Sequence, residues 1–179
     1  VAELMLMNTL KRAKALLQKG ISVEASKPLL YFMQHSVSRE TFADAVLDQF
    51  AQLDDYDIIS AIKAWQFHDD FILSNLSKMI INRDLLKVKL SAEKFPKESL
   101  TALTERYSAM YNLSAEECSY FIFKGKIKNQ AYNNATEPIR ILKKDKTIED
   151  VIEVSDQLNL KALAKPVTKY YLCFPKQLL

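Results

Sequence analysis

The sequence predicts an α+β protein, with a helical segment over residues 1–82 followed by a ferredoxin-like βαββαβ domain over residues 83–179. Three observations carry that expectation. Apolar residues recur at helical spacing up to about Arg83. Period-two alternation then takes over, with Leu86, Val88 and Leu90 separated by Lys87 and Lys89. From there strand-like and helix-like stretches follow in the order β-α-β-β-α-β, with no internal repeat, low-complexity stretch or long linker between them.

In the first part, Leu6, Leu10, Ala13 and Leu17 fall on one helical face, and Gly20 closes that helix. Ser26 before Lys27 and Pro28 reads as an N-cap with a tolerated early proline, and Leu29, Leu30, Phe32 and Met33 supply the buried face. Phe42, Val46 and Phe50, four apart, predict a third helix. The acids from Asp54 to Asp57 mark the start of a fourth, whose stripe is Ile58, Ile62 and Trp65. Phe71, Ile72, Leu76, Met79 and Ile80 make a fifth, ending near Arg83.

In the second part, Pro96 introduces a helix with Leu100, Leu103, Tyr107 and Met110 on one side. Ser114 and Glu117 stand at capping-box spacing over a short turn of helix. Tyr120 to Ile127 is aromatic and β-branched and reads as the second strand; Asn129 to Asn134 is turn-like; Ile139 to Leu142 is the third strand. Thr147 opens a helix through about Val154, broken and resumed toward Leu163 and stopped by Pro166, and Lys169 to Phe174 is the fourth strand.

Composition excludes several functions. The glycines are Gly20 and Gly125 alone, so neither a P-loop nor a GxGxxG dinucleotide fingerprint can be built, and there is no GxSxG nucleophile elbow. No apolar run reaches the ~18–20 residues of a membrane span, and no secretory leader is visible. Cys118 and Cys173 form no metal-ligand spacing and fit two buried thiols in a reducing, cytoplasmic compartment. The first part holds 8 basic and 10 acidic side chains (net −2) and the second 17 and 12 (net +5), so the second part is the mildly basic one. A net charge of +3 overall is too small to argue for nucleic acid. The chain begins at Val1 inside a helical pattern, as a piece of something longer would.

Candidate chemistry is sparse. His68-Asp69 has the form of a metal-binding pair, but the other histidine is His35, and a metal centre needs several such ligands to converge. The competing reading is a helix start rich in acids. Asp54, Asp55 and Asp57 divide in the same way between a metal cluster and a helix cap. Tyr120, Phe121, Phe123, Tyr170, Tyr171 and Phe174 lie on expected strands, where they either stack bases or fill a core; the surrounding sequence does not match an RNA recognition motif. Arg83 and Lys87, four apart where a helix runs into a strand, offer a guanidinium fork and a mobile ammonium suited to phosphate oxygens, or alternatively solvate a helix C-terminus. No catalytic and no metal-ligating residue is assigned.

Several stretches carry a family resemblance. Leu10-Lys-Arg-Ala-Lys14, Leu53-Asp-Asp-Tyr-Asp57, Ala61-Ile-Lys-Ala-Trp65, Ile81-Asn-Arg-Asp-Leu-Leu-Lys87, Ser155-Asp-Gln-Leu-Asn159 and Thr168-Lys-Tyr-Tyr-Leu-Cys-Phe-Pro-Lys176 together resemble the C-terminal region of HD-superfamily phosphohydrolases of the dNTP triphosphohydrolase-like kind. The resemblance implies that the histidines and aspartates holding a divalent metal precede Val1, and that this chain needs no cofactor of its own. It implies as partners the protein's own N-terminal HD catalytic domain, further copies in a homo-oligomer and a nucleotide effector. Arg83-Asp84-Leu85-Leu86-Lys87 is similar to a family segment whose Arg and Lys contact an activating nucleotide. The alternative expectation is an independent module whose ferredoxin-like sheet binds RNA or a protein.

Overall fold

The first five helices are α1 (Ala2–Gln18), α2 (Lys27–Gln34), α3 (Asp44–Ala51), α4 (Asp55–Trp65) and α5 (Phe71–Ile81). The computed structural model describes residues 1–129, 139–154 and 167–179. Each helix boundary has a local cause. After α1, Gly20 takes φ +77°, and the amides of Gly20 and Ile21 return to the carbonyls of Leu17 and Leu16, which closes the orphan carbonyls of the last turn. Ser26 caps α2 through a bond from the Leu29 amide. Asp54 and Asp57 form a reciprocal capping box at the start of α4, and Asp70 caps α5.

α1 packs on α5 and on α2, and α4 packs on α5. Between them lies a core of Ala13, Leu16, Val23, Leu29, Met33, Ala61, Ile62, Trp65 and Leu73. Trp65 is buried, and its indole N–H donates to the Glu24 carbonyl at 2.7 Å, so the one polar atom of the ring is satisfied. The centre of the α1 face is Met5, Thr9, Arg12, Ala13 and Leu16. The expected stripe of Leu6, Leu10 and Leu17 forms its partly buried flanks. Of the expected α3 stripe only Val46 is buried; Phe42, which precedes the helix, and Phe50 are exposed.

The second part comprises β1 (Lys87–Ser91), α6 (Lys97–Tyr111), α7 (Ala115–Cys118), β2 (Phe123–Asn129), β3 (Arg140–Leu142), β4 (Ile148–Asp150), α8 (Val151–Val154) and β5 (Val167–Phe174), with a closing 3-10 turn at Lys176–Leu178. The chain is thus α+β, helices first. Three strands form a sheet in the order β1-β5-β2, and β3 pairs antiparallel with β4 in a hairpin of its own.

That hairpin takes the place of the helix start expected at Thr147. Asp145 accepts bonds from the Thr147 amide and hydroxyl, the Lys143 amide donates to the Thr147 carbonyl, and Lys146 stands at φ 68°. These contacts fold the chain back tightly, and Lys143 pairs with Glu149 across the strands at 2.6 Å. The helix begins only at Val151; its expected continuation toward Leu163 lies outside the described residues, as do 130–134 of the expected turn. The second strand also starts later than the aromatic run suggests. The amides of Ser119 to Ile122 bond back to carbonyls of α7, so Tyr120 and Phe121 complete a helical turn before β2 opens at Phe123.

By internal packing the chain divides into two units. One comprises residues 1–88, 97–123 and 173–179; the other comprises residues 89–96 and 124–172.

Candidate functional site

Arg83 lies on the connection from α5 to β1, and Lys87 is the first residue of β1. Helix α5 ends in a Schellman arrangement: the Arg83 amide donates to the Ile80 carbonyl at 3.2 Å, and the Asp84 amide to the Met79 carbonyl at 2.9 Å. This arrangement requires a left-handed residue, ordinarily glycine, and Arg83 supplies it at φ 58°. Leu86 then anchors the segment: its side chain is buried and its amide meets the Met5 sulfur at 3.4 Å. Asp84 accepts from the Lys176 ammonium at 2.6 Å. Arg83 and Lys87 are both exposed, and neither makes an ion pair among the described residues. The arrangement is two cations on a segment pinned at Leu86 and tethered at Asp84. Exposed guanidinium and ammonium groups of this kind are suited to an anion.

The His68-Asp69 pair does not fit a metal. The Asp70 amide donates to His68 Nδ1 at 2.9 Å, which leaves Nε2 as the protonated nitrogen, 3.1 Å from the Ser22 carbonyl it donates to. Both ring nitrogens are therefore committed to the backbone. Among the described residues, no three or more His, Cys, Asp and Glu side chains gather in a group that could hold a metal ion. Asp54 and Asp57 spend carboxylate oxygens on the cap of α4, and bonds from Ser26 and the Asp54 amide hold the Asp57 carboxyl below its usual range. His35 is exposed, stacked on Tyr31, with Nδ1 2.9 Å from the Tyr31 carbonyl.

Of the six aromatics expected on strands, Tyr120 and Phe121 precede β2 and the other four lie on β2 or β5. Phe121 and Phe174 are buried, and Tyr120, Phe123, Tyr170 and Tyr171 are half-buried. Both thiols are buried and free; burial pushes each of them up in pKa, away from the reactive thiolate.

A polar cluster that the sequence pattern does not reveal joins α1 to the start of α5. The Arg12 guanidinium forms a two-pronged pair with Asp70, Nε to Oδ1 at 3.0 Å and Nη2 to Oδ2 at 2.6 Å. Glu117 approaches the same nitrogen at 3.8 Å, and the Tyr120 ring lies 5.5 Å from the guanidinium carbon. Asp70 at the same time accepts the Leu73 amide at 2.8 Å. Burial pushes the Asp70 carboxyl up, but Arg12 and the Leu73 amide outweigh it and hold the group below its usual range. An arginine in the middle of an apolar face and an acid beside the HD pair were the available signals; their pairing, 58 residues apart, was not readable.

A phosphohydrolase from Bacteroides thetaiotaomicron of known crystal structure matches this chain at 38% identity and a TM-score of 0.86. The match covers 98% of this chain and 44% of that one, so the chain spans less than half the length of the relative. No family model matches the sequence, and no curated protein matches it.

Proposed function

We infer that this chain is a regulatory and oligomerisation region of a metal-dependent HD-superfamily nucleotide phosphohydrolase of the cytoplasm, and that the hydrolytic centre lies in other residues of such a protein. The observation that carries the reading is the match itself: nearly all of this chain, at 38% identity, corresponds to less than half of a phosphohydrolase. Two features agree with it. Both ring nitrogens of His68 are committed to backbone groups, and Asp54 and Asp57 to the cap of α4. Arg83 and Lys87 present cations on a pinned segment, as an anionic nucleotide effector requires. A divalent metal bound elsewhere would supply an activated water for attack on phosphorus.

The test has two parts. The 179-residue chain, shown to be folded by circular dichroism, is expected to release no more product from dGTP with added manganese than a buffer blank does. Turnover above the blank would reject the reading. Where the chain is joined to a complete metal centre, Arg83→Ala is expected to raise the dGTP concentration for half-maximal activation about tenfold, a loss of ~1.4 kcal/mol of charge-assisted bonding, with metal content unchanged. An unaltered activation curve and oligomer size would remove Arg83 from the role.

A further inference from the structure

The second unit contains a slot of about 270 Å³. Phe95, Gly125, Tyr170 and Tyr171 line it. A Cβ at Gly125 would collide with the Tyr171 ring, so the close approach of that ring needs glycine there. Lys94, Lys124 and Lys126 also line the slot, and among the described residues no acidic side chain does. Lys124 is held in place by the Phe95 carbonyl, which accepts from its ammonium at 3.0 Å.

The size and lining decide what fits. Small-molecule pockets run about 300–1,000 Å³ and enclose most of their ligand. This slot falls below that range and is lined by rings and lysine stems, which do not read the hydrogen-bonding edge of a base. It is the right scale for one apolar side chain delivered by a larger partner, in the manner of an interface anchor. The lysines then set the partner's charge. Lys124, Lys126 and Lys128 alternate along β2, all exposed, and in the sheet order β2 has β5 as its one neighbour among the described residues. A second copy pairing along β2 would set lysine rows against each other, which disfavours it. An extended acidic chain would satisfy the same lysines while its backbone runs beside the strand.

We propose that the slot between β2, β5 and the Lys94–Phe95 loop, rimmed by Lys94, Lys124 and Lys126, docks an extended acidic peptide segment of a partner protein through one aromatic or large aliphatic side chain.

The probe is a fluorescein-labelled peptide of sequence Glu-Asp-Phe-Asp-Glu, titrated with the 179-residue chain and read by anisotropy. Saturable binding is expected that weakens with added salt. It should fall about tenfold when the peptide's Phe is changed to Ala, the loss typical of a truncated anchor. The double variant Lys94→Glu/Lys126→Glu, exposed in both positions, should lose binding further while its melting profile stays that of the parent chain. Three results would overturn the proposal. They are no saturable binding, equal binding of the Phe and Ala peptides, or displacement of the peptide by dGTP at lower concentration than by unlabelled peptide; the last would make the slot a nucleotide site.

Discussion

The sharpest demand at the level of single residues is made by Arg12 and Asp70. An arginine with 10% of its side chain exposed is tolerable only because its fork is matched by a carboxylate and an aromatic face. Asp70 does two tasks with one carboxylate, capping α5 and pairing Arg12. Arg12→Ala should therefore cost about 3 kcal/mol in urea unfolding, because it leaves Asp70 without its main counter-charge in a half-buried site. Asp70→Asn keeps a good capping residue and removes the charge, so its cost should be somewhat smaller, about 2 kcal/mol. The sign of the pH dependence follows from the lowered carboxyl. Folding holds the Asp70 proton off, so the stabilisation is fully present above the usual carboxylate range and is lost as pH falls through the depressed value. The gap between the parent chain and Asp70→Asn should close in acid; a gap that widens there would refute the assignment.

Among the elements, the end of α5 shows how local rule and fold can disagree. The Schellman bonds at Ile80 and Met79 fix Arg83 in a conformation that costs an ordinary residue roughly 1 kcal/mol. Arg83→Gly should therefore stabilise the chain by about 0.5–1 kcal/mol in thermal or urea melts, whereas Arg83→Ala should leave the strain in place. Sequence patterns made most of this architecture legible. The helix starts at Ser26, Asp54 and Ser114 were readable because capping chemistry is local. So was the alternation that becomes β1. What escaped was set by long-range pairing. β3 takes β4 as its partner because a five-residue turn around Asp145 competes with the helix signal of Thr147, and no local pattern ranks the two. The Arg12–Asp70 pair escaped for the same reason. Arg83 and Lys87 were legible as exposed cations where a helix runs into a strand, but the left-handed backbone beneath Arg83 was not.

Along the sequence, the stretches of the two units alternate. Each strand of the three-stranded sheet crosses the division: β1 between residues 88 and 89, β2 between 123 and 124, and β5 between 172 and 173. Residues 173–179 belong to the first unit, and they contribute Cys173, Phe174 and Leu178, each no more than 3% exposed. Arg106 on α6 also donates to the Leu178 carbonyl at 3.3 Å. Deleting residues 173–179 should consequently abolish the cooperative melt of the first unit, read by near-ultraviolet circular dichroism around Trp65, which lies in that unit more than a hundred positions upstream. Retention of a sharp transition would show that those three side chains are dispensable.

The same alternation sets an order of events during synthesis. A ribosome that has delivered the first 172 residues has delivered the whole of the second unit and only part of the first. Until residues 173–179 follow, the first unit lacks Phe174 and Leu178, both buried in the folded chain. At the ~5–20 residues per second of translation those seven residues take on the order of a second, and throughout it the unfinished first unit is a substrate for whatever chaperone holds apolar surface near the exit tunnel.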